Sequence, residues 1–169
     1  EGLDDLETAV RISPTFGYGQ LHLGDRLVEA GRPAEGVEHL LSATDLGMDS
    51  VQVHKQLACA YCELGRTRLA EEECRKALEK DPECAQAFYV LGVIAVKRGR
   101  YDDAIAQWGE SSRLNPGFKE VHQSLAAAYA CKGDYAAAWK EVYHFIRMGG
   151  TPARDFIAAL SSRMPNPGS

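Results

Sequence analysis

No apolar run in the 169 residues approaches the roughly 20 needed to cross a bilayer, and no basic stretch leading into an apolar one opens the chain. The segment is therefore expected to be soluble and cytoplasmic, with no insertion into a membrane. Basic charge is also short: 19 Lys and Arg against 24 Asp and Glu give a net charge of −5, which offers no grip on a phosphate backbone or on anionic lipid. No nucleic-acid partner is expected. The cysteines are five, Cys59, Cys62, Cys74, Cys84 and Cys131, and an odd set in a chain this long is not a disulfide framework. Reduced thiols are the expectation. Motifs of chemistry are missing too, since no serine sits in a nucleophile elbow, no phosphate-binding loop occurs and no carboxylate is set opposite another. The chain is expected not to be an enzyme, with no catalytic residue, no metal site and no cofactor.

What is present is the composition of a folded chain, 45% apolar and 25% charged, long enough for one ordinary domain or one array of small repeats. Sliding the sequence by 34 residues brings Gly31, Gly65, Gly99 and Gly133 into one column without a gap. The same shift aligns Leu23, Leu57, Leu91 and Leu125, then Gly24, Ala58, Gly92 and Ala126, then Gly2, Gly36, Ala70, Ala104 and Ala138. A looser column holds Pro14, Pro82 and Pro116, with Met48 and Gly150 in the remaining places. The units run 17–50, 51–84, 85–118 and 119–152.

Each column has a mechanical reading. The glycine follows an apolar helical stretch such as LACAYCEL, where a chain leaving a helix enters the left-handed region cheaply only at glycine, so it ends the first helix of its unit. The prolines, preceded by Ser13, Asp81 or Asn115, end the second helix. The small residues, Ala58 with partners of the Ala104 type and Gly92 with Ala138, let two helices approach closely. No period-two alternation persists, so no strand is predicted. Gly2, Gly36 and Gly109 are expected to loosen second helices by about 1 kcal/mol each relative to alanine.

A 34-residue helix-turn-helix unit carrying Leu-Gly or Leu-Ala, then glycine, a small residue, a bulky residue and a late proline resembles the tetratricopeptide repeat. The resemblance is carried by QLACAYCELGRTRLAEEECRKALEKDP in the second unit and YVLGVIAVKRGRYDDAIAQWGESSRLNP in the third. It implies an all-α superhelical solenoid of helix hairpins. Residues 1–16 read as the second helix of a preceding unit, because Leu3, Leu6, Ala9 and Val10 repeat the spacing of Val37, Leu40, Ala43 and Thr44. Thr151 and Pro152 suggest an N-cap and a first-turn proline for a capping helix at 153–163 with Phe156, Ile157 and Leu160 on its apolar face. Residues 164–169 read as a flexible tail. A start without methionine and the terminal Pro-Asn-Pro-Gly-Ser suggest a piece of a longer protein.

The resemblance further implies a recognition scaffold whose first helices line a concave groove. Counting along them gives Tyr18, Leu21, His22, Asp25 and Val28, then Gln52, Lys55, Gln56, Cys59 and Cys62. The later units add Gln86, Tyr89, Val90, Val93 and Val96, then Glu120, Gln123, Ser124, Ala127 and Ala130. The partner-binding set is taken as Tyr18, Asp25, Gln52, Lys55, Cys59, Gln86, Tyr89, Val93, Val96, Gln123 and Ala127, polar early and apolar late, suited to a peptide or helix of another protein. Two modes known in the family find little support. The carboxylate clamp has only Lys55 in its columns, beside Cys59, Val90, Glu120 and Ser124; the asparagine ladder has only Asn115 and Asn166, neither on a first helix. The alternatives are a structural scaffold, self-associating as a homo-oligomer through Leu3, Leu6 and Val10, and the regulatory region of a larger enzyme.

The remaining chemically capable residues have plainer readings. Cys59 and Cys62 are spaced C-x-x-C but sit mid-helix, away from the helix N-terminus that would activate a thiol, so they read as packing residues. Adding His54 does not complete four zinc ligands. His54 and His122 share a column that faces a neighbouring helix, where a structurally satisfied histidine is expected. Glu71, Glu72 and Glu73 read as a solvated face with Glu72 paired to Lys76, and Trp108 and Trp139 as core anchors.

Overall fold

The computed structural model describes residues 2–164, and residues 165–169 of the tail expected at 164–169 lie outside them. Ten helices make up the described residues, with no strand among them. They are α1 (Leu3–Ile12), α2 (Gly17–Glu29), α3 (Pro33–Asp45), α4 (Val51–Glu63), α5 (Thr67–Lys80), α6 (Ala85–Lys97), α7 (Tyr101–Leu114), α8 (Lys119–Lys132), α9 (Tyr135–Arg147) and α10 (Arg154–Arg163). Two compact units, Glu1–Val90 and Leu91–Ser169, divide the chain inside α6. In the first, α2 packs on α3, α4 on α5, and α1 and α3 on the helices that follow them; in the second, α8 packs on both α7 and α9.

The recurring glycines end the first helices as the sequence predicts. Gly31, Gly65, Gly99 and Gly133 have φ between +72° and +81°. At Gly65 the amide donates to the Cys62 carbonyl at 3.1 Å and the next amide, Arg66, to Tyr61 at 2.8 Å, closing the last turn of α4. Second helices end in two ways, only one of which the sequence reading anticipates. Before Pro14, Pro82 and Pro116, the residues Ser13, Asp81 and Asn115 leave the helical conformation. Where Met48 and Gly150 replace proline, the preceding residue is a glycine in the left-handed region, Gly47 at +86° and Gly149 at +78°. Gly47 donates to Thr44 at 2.9 Å and Met48 to Ala43 at 3.0 Å, so a second glycine turn takes over from the missing proline.

The close approaches lie inside each hairpin, which corrects the pairing of Gly92 with Ala138. A Cβ on Gly92 would stand 2.3 Å from Trp108 Nε1 and 2.5 Å from its Cδ1, so the indole of α7 occupies the space a side chain on α6 would need. In the first unit two glycines face each other: a Cβ on Gly24 would come within 3.0 Å of the Gly36 carbonyl, and one on Gly36 within 2.9 Å of the Gly24 carbonyl. Gly36 therefore sets a helix contact and is not a local weakness. Gly109 has nothing within 4 Å of an added Cβ. Trp108 and Trp139 are buried, as anchors should be.

At the end of the second unit Leu160 of α10 joins a core cluster with Trp139 and Val142, and Phe156 and Ile157 pack against it. Two details differ from expectation. The cap of α10 is Ala153, so Thr151 and Pro152 precede the helix; Pro152 instead lines a cavity against α8 and α9. Met164 is the C-cap of α10 and its carbonyl accepts from Trp139 Nε1 at 3.1 Å, a contact that removes it from the tail.

These contacts give the two helical glycines opposite signs on substitution. Gly92→Ala should destabilise by about 1–3 kcal/mol through overpacking against Trp108. Gly109→Ala should stabilise by about 0.5–1 kcal/mol, since alanine restricts the unfolded chain and meets nothing in the helix. Urea midpoints followed by far-UV circular dichroism would check both, and equal shifts would contradict the packing.

Candidate functional site

The side chains of the first helices divide into those used by their own hairpin and those left at the surface. Leu21, Val28, Cys62 and Val90 are buried, which removes them from the candidate groove. The reason is helical register: they point at the packed helices while their neighbours do not. Tyr18, Gln123 and Ala127 are exposed, and Asp25, Gln52, Lys55, Cys59, Gln86, Tyr89, Val93 and Val96 are half-buried.

In the first unit these groups form a polar ladder that the sequence reading missed. Asp25 on α2 accepts from Gln56 Nε2 and, at 3.5 Å, from Gln52 Nε2, both on α4. Gln86 Nε2 on α6 donates to Cys59 Sγ on α4 at 3.2 Å, the same 27-residue step as Gln52 to Asp25. That recurring step was the available signal. Asp25 is held above the ordinary carboxylate range, first by burial and then by Glu29, with Lys55 and Gln56 opposing. The Cys59 thiol is pushed up to about 11 by burial. Cys74, wholly buried on α5, is raised further by burial and by the neighbouring Cys59, Cys62 and Cys84. A C-x-x-C pair held in this way suits packing, not thiolate chemistry.

The second unit presents an apolar trough. Val93 and Val96 of α6 form one wall, Ser124, Ala127 and Ala128 of α8 the other, and Trp108 the floor, with a volume of about 380 Å³. Ala127 and Gln123 also line a smaller cavity of about 190 Å³ bounded by α9 and by the segment entering α10. Of the expected self-association residues, Val10 is buried with Leu23 and Leu27, and Leu3 and Leu6, both half-buried, pack against the same cluster. These contacts pack α1 onto α2.

Three of the five histidines, His39, His54 and His122, are partnered across their hairpins. His54 Nδ1 lies 2.6 Å from Glu73 Oε2 and Nε2 lies 2.7 Å from Asp49 Oδ1. His122 Nδ1 lies 2.6 Å from Glu141 Oε2, and His39 Nδ1 lies 2.7 Å from Gln20 Oε1, all three pairs spanning 19 residues where the second-helix partner is concerned. Glu73 is consequently buried and bonded also to Lys76 at 2.8 Å, while Glu72 pairs with Arg68 at 3.2 Å. The glutamate run is not a uniformly solvated face, and the expected Glu72 to Lys76 pair gives way to these two. Among the described residues no group of three or more His, Cys, Asp or Glu side chains is arranged to hold a metal ion. No described helix is long and apolar enough to cross a membrane.

The tetratricopeptide-repeat family profile matches residues 55–117, the stretch that carries the glycine and proline columns of the second and third units. Over that stretch the chain belongs to the tetratricopeptide-repeat family. The crystal structure of MamA, 23% identical, superposes with a TM-score of 0.69 over 87% of this chain and 86% of that one. YrrB, described as a tetratricopeptide-repeat protein with an unusual peptide-binding site, is 19% identical with a TM-score of 0.65, covering 95% of this chain and 81% of its own. In sequence, the probable biofilm formation methyltransferase WspC of Pseudomonas putida is 30% identical over 109 residues, 64% of this chain but 24% of WspC. The chain thus spans about a quarter of that relative's length. The all-α fold is that of the tetratricopeptide solenoids, a class of interaction scaffolds.

Two measurements follow from the ionisable groups. Asp25 holds its proton more tightly folded than unfolded, so its charge opposes folding once the pH exceeds its folded value, and that cost vanishes below the unfolded value. Asp25→Asn should raise the urea midpoint at pH 7, with the gain shrinking to nothing by about pH 3.5; an equal gain at both pH values would refute the assignment. At pH 8 a maleimide should label the exposed Cys131 first and alone in the native chain, and all five cysteines in guanidinium. Rapid native labelling of Cys59 would contradict its half-buried, raised thiol.

Proposed function

We propose that this chain is a non-catalytic scaffold segment that holds the apolar face of a peptide or helix from a partner protein on the side chains left at the surface of its first helices. The trough of Val93, Val96 and Ala127 over Trp108 is the observation that carries this reading, because it is an apolar surface that no described hairpin covers. In the first unit Tyr18, Asp25, Gln52, Lys55, Cys59, Gln86 and Tyr89 offer a polar surface of their own, and in the second Gln123 offers a hydrogen-bonding amide beside the trough. The repeat units run 17–50, 51–84, 85–118 and 119–152, with 1–16 and the helix at 153–163 flanking them; the starts of α2, α4, α6 and α8 at Gly17, Val51, Ala85 and Lys119 support these limits. The peptide-binding description of YrrB supports the same direction, and the partial likeness to WspC is compatible with a segment serving a larger enzyme.

A library of displayed 12-residue peptides panned on the chain tests the reading. Enriched sequences should carry apolar residues at helical spacing and lose binding at least tenfold to Val93→Glu, a loss of about 1.4 kcal/mol, with circular dichroism unchanged. Absence of any enriched family, or undiminished binding to Val93→Glu, would remove the trough as the binding surface.

A further inference from the structure

The cavity at the end of the second unit differs from the trough in shape and in what it can accept. Its back wall is Val142 and Phe145 of α9, and its roof is Pro152, Ala153 and Phe156 where the chain enters α10. Ala126 and Ala127 form the side on α8; the place of Ala127 is held by Asp25, Cys59 and Val93 in the other units, so this unit has the smallest side chain of the column. The ring of Phe145 is fixed from behind, since a Cβ on Gly150 would stand 2.4 Å from it. No charged side chain lines the space, and the single amide, Gln123, is exposed. We propose that this cavity takes one aromatic side chain of the partner peptide, a phenylalanine ring, and anchors the peptide beside the trough. The inference rests on the groove reading above and names the anchoring group.

Size, charge and geometry select that occupant. A volume of about 190 Å³ admits one ring and not an extended side chain with a charged head. The lining is almost wholly apolar and the space opens to solvent on one side, so a ring that covers it removes apolar surface from water. Phe145 and Phe156 offer the edges and faces against which aromatic rings pack. Gln123 can hydrogen-bond the peptide backbone that enters with the ring. Ala127, shared with the trough, makes the two surfaces continuous, so one segment can reach both.

The test uses toluene, the side-chain analogue of phenylalanine, and the panned peptides. Titrating toluene into the whole chain should give saturable NMR shifts at Val142, Phe145 and Phe156, lost in Ala153→Leu, whose added bulk enters the cavity from its roof. Replacing the peptide phenylalanine by alanine should weaken binding at least tenfold on the unaltered chain and less than twofold on Ala153→Leu. Should Ala153→Leu lose helicity, Phe156→Ala, which opens the roof, should weaken toluene at least fivefold. Toluene shifts absent, or unchanged in these variants, overturn the proposal. Peptides that need Val93 but not a phenylalanine leave the groove reading standing and overturn the anchor alone, while toluene bound in the cavity with no peptide selected overturns both.

Discussion

The distance between the two helices of each hairpin is the constraint on which the rest depends, and small residues set it. Between α2 and α3, Gly24 and Gly36 bring backbone against backbone. In the second and fourth units the same columns hold Ala58 with Ala70 and Ala126 with Ala138, all essentially without solvent exposure. Between α6 and α7 the solution differs, because Trp108 fills what Gly92 leaves open. Close helices bury their facing leucines and alanines densely, and dense packing is unforgiving of added volume. A hairpin this small still cannot cover all of its apolar surface alone, which is why Val10, Leu23 and Leu27 form one cluster across α1 and α2.

A second device fixes the register of the hairpins. Gln20 with His39, His54 with Glu73 and His122 with Glu141 each join the first helix to the second across 19 residues. At the corresponding places the third unit has Phe88 and Gln107, so its hairpin relies on the Gly92 and Trp108 contact instead. Both imidazole nitrogens of His54 meet carboxylate oxygens, and Asp49 in turn meets Lys80 at 2.7 Å, so the pair extends into a network from the turn before α4 to the end of α5. Buried polar groups joined in this way cost little where they are and much in any slipped arrangement.

The fold was legible because its signals are repeated and local. A glycine that must adopt positive φ and a proline that cannot donate act on a few residues each, and 34-residue recurrence multiplies the evidence. The column of His54 and His122 was legible for the same reason, although its acidic partners were not, since Glu73 sits within a run that reads as surface. Gly47 and Gly149 were not legible, because in the units that keep a proline the residue before it is not glycine and the 34-residue column there carries no glycine signal. The surface was harder to read. Whether Val90 or Val93 is buried depends on which helix lies against each, and a count along one helix cannot distinguish two valines one turn apart. The cavity beneath Pro152 needed three elements placed in space, and no single-helix periodicity encodes such a meeting.

The column of Asp25, Cys59, Val93 and Ala127 lies where packing and surface chemistry meet. Hairpin packing leaves each of these side chains at least partly at the surface, in contrast to the buried leucine and small-residue columns beside it. Packing therefore places little demand on identity there, and the residues range from an acid with neutral amide partners to the smallest apolar side chain able to leave a cavity. An amide ladder around a partly desolvated carboxylate favours polar, directional contacts, whereas valine and alanine walls over an indole favour shape and burial. The same helical scaffold can thus carry two kinds of surface without altering a single contact that holds its hairpins together. The surface proposed for recognition lies at positions that hairpin packing leaves at least partly free.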